Sequence, residues 1–152
     1  MDPQQSLKVV KVISIIDIIY GGIAILAAIM SAVSSAAVAG LSPEELAAMG
    51  VSVEGTGISV VSVFVILAVS SGIMGALMIC CGIFGLKVND EPSKIKPLWI
   101  LSLVLLIIAL ANMVFDVMGG GIANIWTNLI SLGLTGFMFY SANNLKTHQN
   151  KA

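Results

Sequence analysis

Four long apolar runs divide the chain. They cover approximately residues 12–38, 58–86, 98–118 and 122–142. Each run reaches the ~20 residues that an α-helix needs to cross about 30 Å of hydrocarbon. Apolar residues follow one another from Leu103 to Ile108 without the alternation that marks a transmembrane β-strand. The pattern therefore predicts an all-α polytopic membrane protein with four transmembrane helices.

Small and polar residues recur within the runs at steps of three and four, whereas large apolar residues fill the other helix faces. In the first two runs these predicted packing positions are Gly21, Ala24, Ala28, Ser71, Gly72, Gly75 and Ala76. Small residues let membrane helices approach closely, and a period near 3.5 residues is typical of left-handed packing. We therefore predict a left-handed four-helix bundle in up-down-up-down order. The ridge with Gly72 and Ala76 could instead form a homo-oligomer contact.

The connections are short except for a predicted outer loop at residues 40–57, which contains a helix signal. Ser42 would be the N-cap, Pro43 the first helical residue, and Glu45 the returning half of a capping box. Gly50 would end the helix after about two turns. The sequence thus predicts a short capped helix in this loop.

Composition excludes several function classes. Of the 152 residues, 58% are hydrophobic and 10% are charged, and the mean hydropathy is +1.05. A soluble domain would have about 45–50% apolar and about 25% charged residues. Seven lysines, no arginine and eight acids give a net charge of −1, which leaves no basic excess for nucleic acid. The expected partner is the lipid bilayer, and no nucleic-acid partner is expected.

All seven lysines lie on one side of the predicted bundle. They precede the first run, occupy the 87–97 loop and follow the fourth run in the 143–152 tail. The positive-inside rule therefore predicts that the loop and both termini are cytoplasmic, and we expect a prokaryotic plasma membrane.

The first run also ends in a small-residue motif, Ala37-Val38-Ala39, which imitates a signal-peptide cleavage site. A signal peptide has an apolar region of ~7–15 residues, and this run is longer than that. We therefore favour an uncleaved first transmembrane helix.

Asp17, inside the first run, is the main candidate for ion or proton chemistry. It lies about 8 Å beyond the start of the run, and no lysine is three or four positions away. A carboxyl group buried without a cation favours its neutral form, which is a property that proton-coupled carriers use. The structural alternative is that its carboxyl group bonds a hydroxyl of Ser14, Ser102 or Thr135. Proximity to the helix N-terminus also favours a negative charge.

A second candidate cluster lies near the predicted outer ends of the third and fourth runs. It contains Asn112, Asp116, Asn124 and Asn128. The short turn Gly119–Gly121 brings Asp116 level with Asn124, and Asn112 level with Asn128. A hydrogen-bonded ladder, at about 0.6–2 kcal/mol per bond, is one interpretation. The alternative is a site for a small cation or polar ligand from outside.

The remaining reactive side chains do not form a recognisable site. Cys80 and Cys81 are neighbours with Cα atoms ~3.8 Å apart, below the usual disulfide range of ~4.4–6.8 Å, so we predict reduced packing residues. The single histidine, His148, is in the tail. No catalytic triad or phosphate-binding loop can be assembled. We therefore predict no enzyme activity, no cofactor and no metal.

A single acid in the first of four short helices resembles the small multidrug-resistance transporters in architecture alone. The acid here is aspartate rather than glutamate, and the first outer loop is extended. Our leading hypothesis is a non-enzymatic structural or accessory membrane protein, whose bundle binds a second copy or another membrane protein. The alternative is a small proton- or cation-coupled transporter or channel-like oligomer that uses Asp17.

Overall fold

A computed structural model describes residues 2–48, 60–118 and 125–149. These residues form five α-helices and one 3₁₀ turn, Pro92–Lys94, which runs directly into the fourth helix. The α-helices are α1 Pro3–Val38, α2 Pro43–Ala48, α3 Val60–Lys87, α4 Ile95–Met118 and α5 Ile125–Gln149. The prediction of an all-α protein is confirmed for the described residues, which contain no strand.

Three described segments are long and apolar enough to cross a membrane. They are α1, α3 and the segment Pro92–Val114, which contains most of α4. Few residues of these segments are buried within the protein, as expected for helices whose surroundings are lipid. The protein therefore has the helices of a small membrane protein. The fourth span, the crossing order and the left-handed packing stay predictions.

The first and last long helices extend well beyond their apolar runs. α1 begins at Pro3, because Asp2 accepts hydrogen bonds from the backbone N–H of Gln4 on its carboxylate (3.4 Å) and of Ser6 on its carbonyl (3.0 Å). α5 continues to Gln149 through what the sequence suggested was a tail, and its last turn carries Lys146 and His148. Cations at this position interact favourably with the helix dipole.

The predicted capping box at the start of α2 is confirmed. The Ser42 backbone N–H donates to Glu45 Oε2 at 2.8 Å, and the Glu45 N–H donates to Ser42 Oγ at 3.3 Å. The two residues thus satisfy each other's backbone donors at the helix start. The predicted stop at Gly50 lies outside the described residues.

The connection between α3 and α4 is tighter than the predicted 87–97 loop. Backbone N–H groups of Asp90 and Glu91 donate to the Lys87 carbonyl, which closes the turn at the end of α3. Lys94 forms an ion pair with Glu91 at 3.4 Å. Pro97 fits in the first turn of α4, where its missing N–H would have no helical partner.

The chain divides into two compact units. Unit 1 contains Met1–Ile19 and Leu77–Ala152, and unit 2 contains Tyr20–Ala76. In unit 1, α4 and α5 pack antiparallel: the Trp99 indole donates to Asn143 Oδ1 at 3.2 Å and lies 5.9 Å from the Phe139 ring centroid. The Lys146 ammonium lies 3.4 Å from the Trp99 ring centroid, a cation–π contact.

Candidate functional site: the buried polar residues of unit 1

One face of α1 supplies the buried polar residues of the site. Ser6, Ser14 and Asp17 are buried, together with Val10 and Ile13 between them. Their spacing of three and four residues places them on one side of the helix. The neighbouring positions Val12 and Ile15 are more than half exposed. This buried face of α1 therefore combines three polar side chains with two apolar ones.

Asp17 is only 3% exposed, and its carboxyl group interacts with the thiol of Cys81. The thiol is fully buried, and in this pair only the S–H can donate to a carboxylate. Glycine brings α3 close enough for this contact. A Cβ added at Gly82 would lie 2.6 Å from the Ser14 carbonyl oxygen, so the α1 and α3 backbones approach closely here. The carboxyl–thiol contact thus joins α1 to α3.

Ser14 lies where three helices of unit 1 meet. Its Oγ occupies the space that a Cβ at Gly85 of α3 would need, and Met138 Cε of α5 is 3.0 Å from the same point. Within the described residues this fully buried hydroxyl has no hydrogen-bond partner. A buried polar group without a partner costs about 1–3 kcal/mol, so this hydroxyl is held by the packing around it.

The expected partners of Asp17 on α4 and α5 use their hydroxyls elsewhere. Ser102 Oγ donates to the Trp99 carbonyl at 2.9 Å, and Thr135 Oγ1 donates to the Ser131 carbonyl at 2.9 Å. Each bond lies within its own helix, a common arrangement for hydroxyl side chains. The prediction that Asp17 bonds Ser14, Ser102 or Thr135 is therefore wrong. Cys81 is its partner, because Gly82 lets α3 come close enough.

A polar contact near the helix ends fixes the register of α1 and α5 in unit 1. Asn144 Nδ2 donates to Ser6 Oγ at 2.7 Å. Counted from this contact at 1.5 Å per residue, Asp17 is about 16 Å along α1 and Thr135 is about 13 Å along α5. Thr135 is thus nearly level with Asp17. At the same helix ends, Gln149 Nε2 donates to the Pro92 carbonyl at 3.3 Å.

The site combines one acid with one thiol and contains no cation. The single ion pair in the described part of the chain is Lys94–Glu91, so Asp17 pairs with no lysine there. The same residues contain no group of three or more histidine, cysteine or acidic side chains that could hold a metal. Chemically, the carboxyl–thiol pair can hold and exchange a proton. Neither residue has a described histidine beside it to act as a base.

The predicted outer polar cluster is only partly within the described structure. Asn112 is exposed on α4. Asn124 lies outside the described residues, and so do the side chains of Asp116 in α4 and Asn128 in α5. The ladder of Asn112, Asp116, Asn124 and Asn128 therefore stays a prediction.

Four of the seven predicted packing positions lie at contacts between α1 and α3 in unit 2. A Cβ added at Gly75 would lie 2.7 Å from the Gly21 carbonyl oxygen, and both glycines are buried. Gly72 faces Ala28, whose Cβ would be 3.7 Å from one at Gly72. Of the remaining positions, Ala24 and Ser71 are half-buried and Ala76 is exposed.

Sequence reasoning missed the role of Cys81, although a signal for it exists. Asp17 lies six residues after Lys11, and Cys81 lies six residues before Lys87. The predicted topology puts Lys11, near the start of α1, and Lys87, at the end of α3, on the same side of the membrane, so equal distances from them predict equal depth for the acid and the thiol. Treating Cys80 and Cys81 as one pair of packing residues obscured this relation.

No protein-family model matches the chain, and neither does any curated protein or solved structure. The features that bear on function are therefore the buried polar residues and the apolar helix surfaces.

Proposed function

We propose that this protein is a non-enzymatic integral membrane protein that serves as a structural or accessory component, binding a second copy or another membrane protein. The proposal rests on one observation: buried polar side chains of the protein make contacts between helices. Asp17 contacts Cys81 between α1 and α3, and Asn144 bonds Ser6 between α5 and α1. Such bonds hold membrane helices together at about 0.6–2 kcal/mol each.

The proposal includes four transmembrane helices with both termini in the cytoplasm of a prokaryotic plasma membrane. The contacts of Ser6 with Asn144 and of Gln149 with Pro92 support it, since they bring the start of α1, the end of α5 and the α3–α4 turn to one end of unit 1. Lysine is concentrated in these same segments. An even number of crossings and a cytoplasmic lysine-rich end agree with this arrangement.

The partner surface of the proposal is the apolar exterior of the helices. Large apolar side chains on α1 and α3 in unit 2 are more than half exposed, including Leu26, Met30 and Ile66. In a bilayer, such a surface is covered by lipid or by another transmembrane helix. The proposal requires no cofactor, metal or nucleic acid.

A small proton- or cation-coupled transporter or channel-like oligomer is the second candidate. It is favoured by one observation: the buried Asp17 carboxyl lies beside a thiol and forms no ion pair with a described cation. A membrane-embedded acid without a cation is a common element of proton relays. The unpartnered hydroxyl of Ser14, one turn away, would be a second polar group on such a path.

The substitution Asp17→Asn separates the two candidates, because asparagine keeps the size and hydrogen-bonding capacity and loses the titratable group. If Asp17 is structural, its replacement should change the free energy of unfolding in detergent by less than about 1 kcal/mol. Proteoliposomes should then show no pH-dependent proton or cation flux with either the wild-type protein or the variant. The matched control is Asp90→Asn, which changes an exposed acid in the α3–α4 turn. A pH-driven flux that Asp17→Asn abolishes and Asp90→Asn preserves would replace the structural proposal with the transporter.

A further inference from the structure

A groove on unit 1, near the start of α1, joins a cationic part to an apolar part. The cationic part is a cavity of about 300 Å³ lined by Gln4, Leu7, Lys8, Lys11 and Asn89. The apolar part is a cavity of about 260 Å³ lined by Lys8, Val9, Val12 and Ile13. Lys8 lines both cavities, so they are neighbours on α1, and we refer to the two together as the amphipathic groove.

The cationic part has two amines available for an anion. Lys8 and Lys11 are three positions apart on α1, so they lie on the same side of the helix, and both are exposed. Neither forms an ion pair with a described residue. The nearest acid in sequence to Asn89 is Asp90, whose Oδ1 accepts a hydrogen bond from Asn89 Nδ2 at 3.2 Å. A phosphate group would therefore meet two positive charges that no described acid neutralises by contact.

The apolar part continues along α1 as a stripe. Lys8, Val12, Ile15 and Ile19 are spaced by four, three and four residues, which places them on one face. The three apolar members are each more than half exposed. From Lys8 to Ile19 the helix rises about 16 Å at 1.5 Å per residue. The apolar part of the stripe, from Val12 to Ile19, rises about 10 Å, which is about two thirds of the ~15 Å that one leaflet contributes to the hydrocarbon core.

We propose that this groove binds an anionic phospholipid, with the phosphate at Lys8 and Lys11 and one acyl chain along the stripe of Val12, Ile15 and Ile19. The two parts of the groove together specify this class of ligand. A zwitterionic lipid lacks the net charge that two lysines select, and a soluble phosphate lacks the chain that the stripe accommodates. Basic residues next to a transmembrane helix commonly recruit anionic lipids in this way.

Native mass spectrometry of the full-length protein in detergent tests the site. Dioleoyl phosphatidylglycerol is the anionic probe, and dioleoyl phosphatidylcholine is the zwitterionic one. The double variant Lys8→Gln/Lys11→Gln should bind phosphatidylglycerol roughly 30-fold more weakly at low salt, at about five-fold per lysine. The matched control Lys87→Gln/Lys96→Gln removes the same charge from exposed positions outside the groove. The affinity of this control for phosphatidylglycerol should fall by less than about threefold, and the affinity for phosphatidylcholine should stay unchanged in both variants.

Three outcomes would overturn the proposal. Equal losses in the two double variants would mean that the lysines act through a diffuse surface field. Equal affinity of the wild-type protein for the two lipids would remove the role of the headgroup charge. Displacement of the lipid by soluble glycerol phosphate at the lipid's own concentration would assign the groove to a free phosphate and leave the apolar stripe without a role.

Discussion

Cys80 and Cys81 are neighbours in α3 with opposite surroundings. Cys80 is exposed, whereas Cys81 is fully buried and interacts with the Asp17 carboxyl group. Successive residues on a helix point about 100° apart, so only one of them can face α1. The thiol at position 80 therefore lies on the protein surface, and the thiol at position 81 lies between two helices.

Cys81→Ala should lower the free energy of unfolding by about 1–2 kcal/mol, because it removes a buried sulfur and leaves Asp17 without its described partner. The matched control Cys80→Ala should change it by less than about 0.5 kcal/mol. Thermal unfolding of the full chain in detergent measures both. In an Asp17→Ala background the effect of Cys81→Ala should shrink, because the group that contacts the thiol is already gone and interacting residues couple in a double-mutant cycle. Equal effects of the two alanine variants would contradict the assigned bond.

At the scale of single helices, glycine has two roles in this chain. Gly75 of α3 is needed where two backbones meet, since a Cβ there would lie 2.7 Å from the Gly21 carbonyl oxygen and 3.1 Å from the Ile25 nitrogen. Gly133 and Gly136 of α5 have no described atom within 4 Å of a Cβ position. Gly75 thus allows the α1 and α3 backbones to approach closely, whereas Gly133 and Gly136 lie beside open space on α5.

This contrast gives a prediction for alanine substitutions. Gly75→Ala should destabilise the protein by about 1–3 kcal/mol, because the backbone atoms that it meets can move only if the helices separate. Gly133→Ala should be neutral or stabilising by up to about 1 kcal/mol, through the higher helix propensity of alanine. Unfolding in detergent measures the difference. Similar losses in both variants would argue against close α1–α3 contact at Gly75.

The capping box of α2 predicts a pH dependence. Hydrogen bonds from the backbone N–H and the hydroxyl of Ser42 lower the pKa of Glu45 below its ordinary value of 4.5. The cap is thus fully formed above pH 4.5 and is lost as the pH falls through the lower pKa of the folded helix. The pH dependence of the α2 amide NMR shifts in detergent should report this loss, and Glu45→Gln should abolish that pH dependence. Glu44→Gln, in the same turn, should leave it unchanged; a transition that depends on Glu44 instead would contradict this origin.

The helices could be predicted from the sequence better than their ends and partners. Apolar length identified the regions of α1, α3 and α4, because a lipid-exposed helix needs an unbroken apolar run. It missed the first turns of α1 and the last turns of α5, which are stabilised by the Asp2 cap and by interactions of Lys146 and His148 with the helix end. Asp17 could be identified as buried, but its partner depends on how closely Gly82 lets α3 approach, which is a three-dimensional property.

At the scale of the whole molecule, the number and direction of crossings decide which surfaces meet the cytoplasm. In unit 1, Gln149 of α5 contacts Pro92 in the turn that precedes α4. If α4 crosses the bilayer, α5 must therefore return across it to bring its end back to that turn. This contact argues for α5 as a further crossing, although its lower apolar content resembles a membrane span less clearly than the other helices.

Single-cysteine labelling tests this topology. The background is Cys80→Ala/Cys81→Ser, in which serine keeps a donor for Asp17. Cysteines replace Ser93 in the 3₁₀ turn, His148 near the end of α5, and Glu54 in the connection between α2 and α3. Four crossings predict that a membrane-impermeant maleimide labels Ser93→Cys and His148→Cys from one side and Glu54→Cys from the other. The positive-inside rule predicts that the shared side is cytoplasmic.

The position of the His148 label is the decisive result, because it depends on whether α5 crosses. If α5 lay outside the hydrocarbon, the end of the chain would stay on the far side of α4, and His148→Cys would react together with Glu54→Cys. That outcome would break the link between the end of α5 and the Pro92 turn and would leave three spans. Labelling of His148→Cys with Ser93→Cys would instead give four crossings with both chain ends on one side, because the Asn144–Ser6 bond brings the start of α1 to that same end of unit 1.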